Sequence, residues 1–117
     1  MQDYHNLLVW EKAMGLVVLV YRFTRLFPRD ELYGLTSQLR RAVVSVVGNI
    51  VEGRGKATDK DFLRFLYIAK GSLNESQSYF EIAKELEFIS NEQFNFIERK
   101  RGEVGFLLYR LITSLEK

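Results

Sequence analysis

No cysteine occurs in this 117-residue sequence, which removes disulfide frameworks, thiolate nucleophiles and cysteine zinc sites together. A reducing, cytoplasmic compartment is the natural expectation. Proline occurs once, at Pro28, and glycine eight times, so there is little material for linkers. Histidine also occurs once, at His5, leaving metal ligation and Ser/His or Cys/His catalysis almost nothing to work with. Ferritin-like di-iron sites need Glu-x-x-His pairs that this chain cannot supply. The longest apolar run, Ala13 to Val20, is far short of the ~20 residues of a membrane span, and "MQDYHNLLVWEKAMG" carries no basic leader. We therefore expect no signal peptide, no membrane segment, no metal and no cofactor.

What is present suits a single packed domain over residues 1–117. Hydrophobic residues make up 47% of the chain, charged residues 27% and aromatic residues 14%. Folding at this length removes roughly two thirds of the unfolded surface from water, enough for a true core. The formal net charge of +2 is unevenly spread. Residues 22–70 hold ten Lys/Arg against five Asp/Glu, residues 71–117 six against eight, and residues 1–21 one against two. Basic character is concentrated in the second quarter and its neighbours.

Periodicity predicts four helices, over about 6–26, 30–53, 58–87 and 90–116. In the first, Leu7, Trp10, Met14, Val17, Tyr21 and Thr24 step by threes and fours until "FPRD" halts the helix. The second runs from Asp30 to "GRG", with glycine in the C-cap role. Thr58 is the expected N-cap of the third, with Asp61 three residues later. Its face, Phe62, Leu66, Ala69, Leu73, Ser76, Phe80 and Ala83, is nearly a coiled-coil seam. Ser90 and Gln93 form a capping-box pattern, and Phe94, Ile97, Arg101, Val104, Leu108, Leu111 and Leu115 line the fourth helix. The expected fold class is all-α, an antiparallel up-down-up-down four-helix bundle.

The second helix carries a polar stripe on an otherwise apolar rod. Gln38, Arg41, Ser45, Gly48, Asn49 and Glu52 share about 100° of its circumference, while Leu35, Leu39, Ala42, Val43, Val46, Val47 and Ile50 face the bundle. Arg40, Val44 and Val51 occupy what remains, and the two valines, where water-facing residues would be ordinary, suggest an interface between subunits. The stripe reads as internal hydrogen bonding, with Gly48 admitting a neighbouring helix and Glu52 or Glu75 meeting Arg101, or else as a ligand site. "GRGKAT" lacks the spacing of a phosphate loop. It reads as a helix-to-helix turn, or as an anion site in which Arg54, Lys56, Lys60 and Arg64 gather at a helix N-terminus.

The segments "LLVWEKA" (7–13), "VYRFTRLFPRDELYGLTSQLRRAVVSVVGNIVEG" (20–53) and "FLYIAKGSLNES" (65–76) resemble the four-helix-bundle family first described as the 23S rRNA intervening sequence protein. More distantly the chain is similar to the accessory variability determinant of diversity-generating retroelements. The resemblance implies a small bundle assembled into a ring-shaped homopentamer, no established enzymatic activity, and nucleic-acid binding among the retroelement relatives. Its motif positions here are Gln38, Arg40, Arg41, Ser45, Asn49, Ile50, Glu52 and Gly53, with Gly71, Ser72 and Glu75 in the third helix. They speak for fold and assembly. Val47, Gly48 and Val51 stand where many relatives have Pro and Ala.

The leading functional expectation is a non-enzymatic oligomeric scaffold or adaptor that contacts RNA or DNA through basic surfaces. Arg22, Arg25 and Arg29, near the end of the first helix, form one basic group. Arg40, Arg54, Lys56, Lys60 and Arg64 form another, expected near the opposite end. A protein-protein interaction module without nucleic acid is the alternative, and an enzyme comes last.

Overall fold

The computed structural model describes residues 3–116, among which every regular element is helical. Helix α1 spans Leu8–Thr24, a single 3₁₀ turn spans Arg29–Glu31, α2 spans Leu35–Arg54, α3 spans Asp59–Glu85 and α4 spans Asn91–Leu115. Each helix packs on the next, most extensively α2 on α3, and α1 also packs on α4. The molecule measures 43 × 24 × 20 Å.

The helix ends follow local chemistry. Thr58 Oγ1 accepts the Asp61 N–H at 3.1 Å, and Ser90 and Gln93 form a complete capping box. The second helix begins five residues later than the pattern predicts, at Leu35 rather than Asp30. There the Glu31 carboxylate accepts the Leu35 N–H at 3.1 Å, so the 3₁₀ turn supplies the cap instead of extending the helix. At the end of α2, Gly55 is right-handed, with φ −80°, so this turn does not use glycine's left-handed freedom. That conformation falls to Glu87, with φ 62°, after α3. The Phe88 N–H bonds to Ala83 O at 2.9 Å and the Glu87 N–H to Lys84 O at 3.0 Å, a Schellman closure on a non-glycine residue.

Burial matches the expected seam of α3 at every position: Phe62, Leu66, Ala69, Leu73, Ser76, Phe80 and Ala83 are all inside. On α1 the buried line is Val9, Ala13, Leu16, Val20 and Thr24, while Met14 and Tyr21 are exposed, so the predicted face is displaced by about one residue. On α4, Ile112 is buried where the reading placed Leu111 and Leu115, which are half-buried. At one end Phe27, on the α1–α2 connection, meets Phe88, on the α3–α4 turn, with ring centroids 5.4 Å apart.

Candidate nucleic-acid interface

The polar stripe of α2 faces α3 and is largely spent on structure. Ser45 and Ser72 hydroxyls lie 2.9 Å apart across the two helices, and Asn49 Nδ2 donates to Ser45 O at 2.8 Å and to Ser45 Oγ at 3.1 Å. Above these bonds an open groove of about 360 Å³ runs between Gln38, Arg41, Ala42, Ser45, Ser72, Glu75 and Tyr79. The Tyr79 hydroxyl donates to Glu75 at 3.4 Å.

Three details differ from the sequence reading. Gly48 has open space around it, as does Gly71; the close approach is at Gly53, where an added Cβ would lie 2.9 Å from both Phe62 Cδ1 and Phe65 Cβ. Glu52 pairs with Lys56, one turn on, at 3.3 Å. Arg101 meets neither Glu52 nor Glu75. Its Nε donates to both oxygens of Glu98 at 3.0 Å, on its own helix, and Gln77 Nε2 donates to the same carboxylate at 2.9 Å. A partner one turn away satisfies this half-buried cation at less ordering cost than one from another helix.

The basic residues form two groups at the two ends of α2, which at 1.5 Å per residue is about 30 Å long. Arg54, Lys56, Lys60 and Arg64 surround the α2–α3 turn. Arg54 is half-buried against Phe62, and its Nε is buried without a hydrogen-bond partner. Lys56 and Arg64 both lie against the Phe65 ring, at 5.2 and 4.5 Å. Glu52, Asp59 and Asp61 stand among these four cations, and both aspartates are in the first turn of α3. The positive end of that helix is thus already met by its own acids and by Thr58.

The other end is different. Arg22, Arg25 and Arg29 are exposed, and Arg40 belongs with them, not with the α2–α3 turn. Arg40 Nε donates to Thr24 Oγ1 at 2.9 Å, and its guanidinium lies 4.6 Å from the centre of the Tyr21 ring. Thr24, itself buried, donates to Val20 O at 2.7 Å. Arg41 makes no ion pair among the described residues. Beside these arginines lies a second open groove, about 390 Å³, walled by Tyr21, Leu32, Tyr33, Ser37, Arg40, Arg41 and Val44. Tyr33 is 94% exposed and Val44 45%. Val51 is half-buried, so of the two valines only Val44 is fully on the surface.

Sequence reasoning missed Tyr21 and Tyr33 as surface aromatics. The periodicity of α1 places Tyr21 on the core face, and Tyr33 has no periodic context. The available signal was an aromatic inside the turn between Arg29 and Arg40. Among the described residues, no three His, Asp or Glu side chains gather within metal-binding reach, and no helix is long and apolar enough to cross a membrane.

A crystal structure from Bacteroides thetaiotaomicron VPI-5482, described as a protein with unknown function from the S23 ribosomal protein family, superposes with a TM-score of 0.81. It shares 26% identity, over 90% of this chain and 98% of that one. No curated protein matches the chain. The family model for the 23S rRNA-intervening sequence protein matches residues 5–110, the whole span from the turn before α1 to the last turns of α4. The protein belongs to the 23S rRNA-intervening sequence protein family.

Proposed function

We propose that this protein is a non-enzymatic scaffold or adaptor, a ring-forming homo-oligomer of antiparallel up-down-up-down bundles that contacts RNA or DNA through its basic surfaces. The observation that carries the reading is the arginine group of Arg22, Arg25, Arg29, Arg40 and Arg41. Of the nearby acids Asp30 and Glu31, Glu31 is engaged in capping α2. The α2–α3 group contributes less, because Glu52, Asp59 and Asp61 offset most of its charge. The family's name ties its members to 23S rRNA, which makes RNA the first ligand to test. The contact of Phe27 with Phe88 supports the antiparallel arrangement, since it joins the first connection to the third.

Ring assembly would repeat a weak site around an axis, and repeated sites bind a long polyanion far more tightly than one. Light scattering at micromolar concentration tests the assembly, with a pentameric mass expected and a monomeric one against it. Fluorescence anisotropy with labelled RNA tests the ligand. Affinity should fall by tenfold or more between about 50 and 200 mM salt, because phosphate contacts release counterions. Absence of binding at the low end would leave a protein-interaction module as the better account, a reading favoured by exposed Phe106 and Tyr109 on α4.

A further inference from the structure

From the groove beside Arg40 we infer that the protein takes an unpaired base of single-stranded nucleic acid there, stacked on Tyr33, with its phosphates held by the surrounding arginines. This rests on the nucleic-acid reading above and specifies how the ligand is held.

Tyr33 is the starting point. Its ring stands 94% exposed in the connection between the 3₁₀ turn and α2, where folding gains nothing from it. In the same groove, Tyr21 and Arg40 form a second flat surface with the guanidinium 4.6 Å from the ring centre. Arg40 is held there by Thr24 at 2.9 Å, and Thr24 is fixed in turn by Val20 O. The side chain has therefore given up its rotamer freedom before any ligand arrives. Nε faces Thr24, while the two terminal nitrogens make no hydrogen bond to the described residues and remain available to an acceptor.

The chemistry of the walls selects the occupant. Leu32, Val44 and the two tyrosine rings present flat apolar surface, Ser37 a hydroxyl, and Arg40 and Arg41 two cations, with no carboxylate. The grooves elsewhere differ: the one between α1 and α4 carries Glu11 and Glu103, and the one between α2 and α3 carries Glu75. A planar group bearing negative charge fits apolar walls flanked by guanidinium, and Arg25 and Arg29 bring further positive charge to the connection that carries Tyr33, where Asp30 is the one acid not engaged in capping. Nucleotides have both properties. In a duplex the base faces are covered, so only an unpaired strand can use the ring. Stacking of this kind tolerates any base, so no sequence preference is expected.

The test uses the intact protein, with a fluorescein-labelled single-stranded RNA and the same sequence annealed to its complement. The single strand should bind more tightly than the duplex. Tyr33→Ala should lower single-strand affinity about tenfold and leave duplex affinity unchanged, while Tyr33→Phe retains wild-type binding. Because Tyr33 is exposed, the alanine variant should keep its helicity and melting profile. If Tyr33→Ala leaves single-strand affinity unchanged while Arg25→Gln with Arg29→Gln weakens it, the stacking site is wrong and the nucleic-acid reading stands. If neither RNA binds the wild type at low salt, that reading fails and the stacking site falls with it. If Tyr33→Ala lowers the mass seen by light scattering, the groove is a contact between copies, and the inference is overturned.

Discussion

The carboxylate of Glu31 and the missing side chain of Gly34 form one device. Glu31 Oε1 reaches forward to accept the Leu35 N–H at 3.1 Å, and a Cβ on Gly34 would lie 3.0 Å from that same oxygen. The first turn of α2 is thereby capped by a glutamate four residues upstream, and glycine leaves the path clear. Glu31→Ala should destabilise the protein by about 1 kcal/mol, the usual worth of an N-cap, and Glu31→Gln by less. Urea unfolding followed by circular dichroism measures both.

Two glycines on α2 should respond in opposite directions to the same substitution. Gly53→Ala drives a methyl group to 2.9 Å from Phe62 and Phe65 and to 3.2 Å from the Phe62 carbonyl, which is backbone and yields little. A loss of about 1–3 kcal/mol is expected from this overpacking. Gly48→Ala meets nothing within 4 Å and should add about 0.5–1 kcal/mol through helix propensity. Paired urea melts decide the matter, and equal shifts would contradict the packing described.

Asn49 and Glu52 share the polar stripe but do different things. Asn49 Nδ2 bonds to Ser45 in a half-buried setting, so Asn49→Ala should cost about 1–2 kcal/mol. Glu52 makes an exposed i,i+4 pair with Lys56, and Glu52→Ala should change stability by no more than about 0.5 kcal/mol. Thermal melts of the two single variants separate these outcomes.

The Tyr67 hydroxyl donates to Glu116 at 2.5 Å, and that bond raises the tyrosine's pKa above its ordinary value of 10.0. The neutral phenol is the form favoured by folding. Its contribution is therefore present below about pH 10 and is lost as pH rises through the higher folded value. Tyrosinate absorbance should show a phase above the ordinary value of 10.0, and Tyr67→Phe should remove it.

Sequence alone made some of this legible, and the reasons are physical. The α3 seam was readable because Phe62, Leu66, Ala69, Leu73, Ser76, Phe80 and Ala83 repeat at alternating steps of four and three, a spacing that holds one line along a helix. The α1 face was not, because "LVVLVY" is apolar on every side and periodicity cannot choose among near-equal rotations. The seam position of Arg101 demands a carboxylate, but spacing does not choose between Glu98, one turn away, and the carboxylates of other helices. The arginines of the candidate interface could be listed from the chain. Arg40's bond to Thr24, 16 residues away, and the free ring of Tyr33 depend on how the connection folds, which no spacing encodes.

The packing order of the helices also carries a kinetic consequence. Three of the four helix interfaces join neighbours along the chain, and only α1 against α4 brings distant segments together. Topologies of such low contact order fold quickly, because little loop entropy is lost before contacts form. The α2–α3 pair has the largest interface, the Ser45–Ser72 bridge and the Gly53 contact, all spanned by one short turn. We expect it to form the folding nucleus. Trimming Leu66 to Ala should then slow folding, whereas trimming Ile112 to Ala, on α4 and outside that pair, should mainly hasten unfolding.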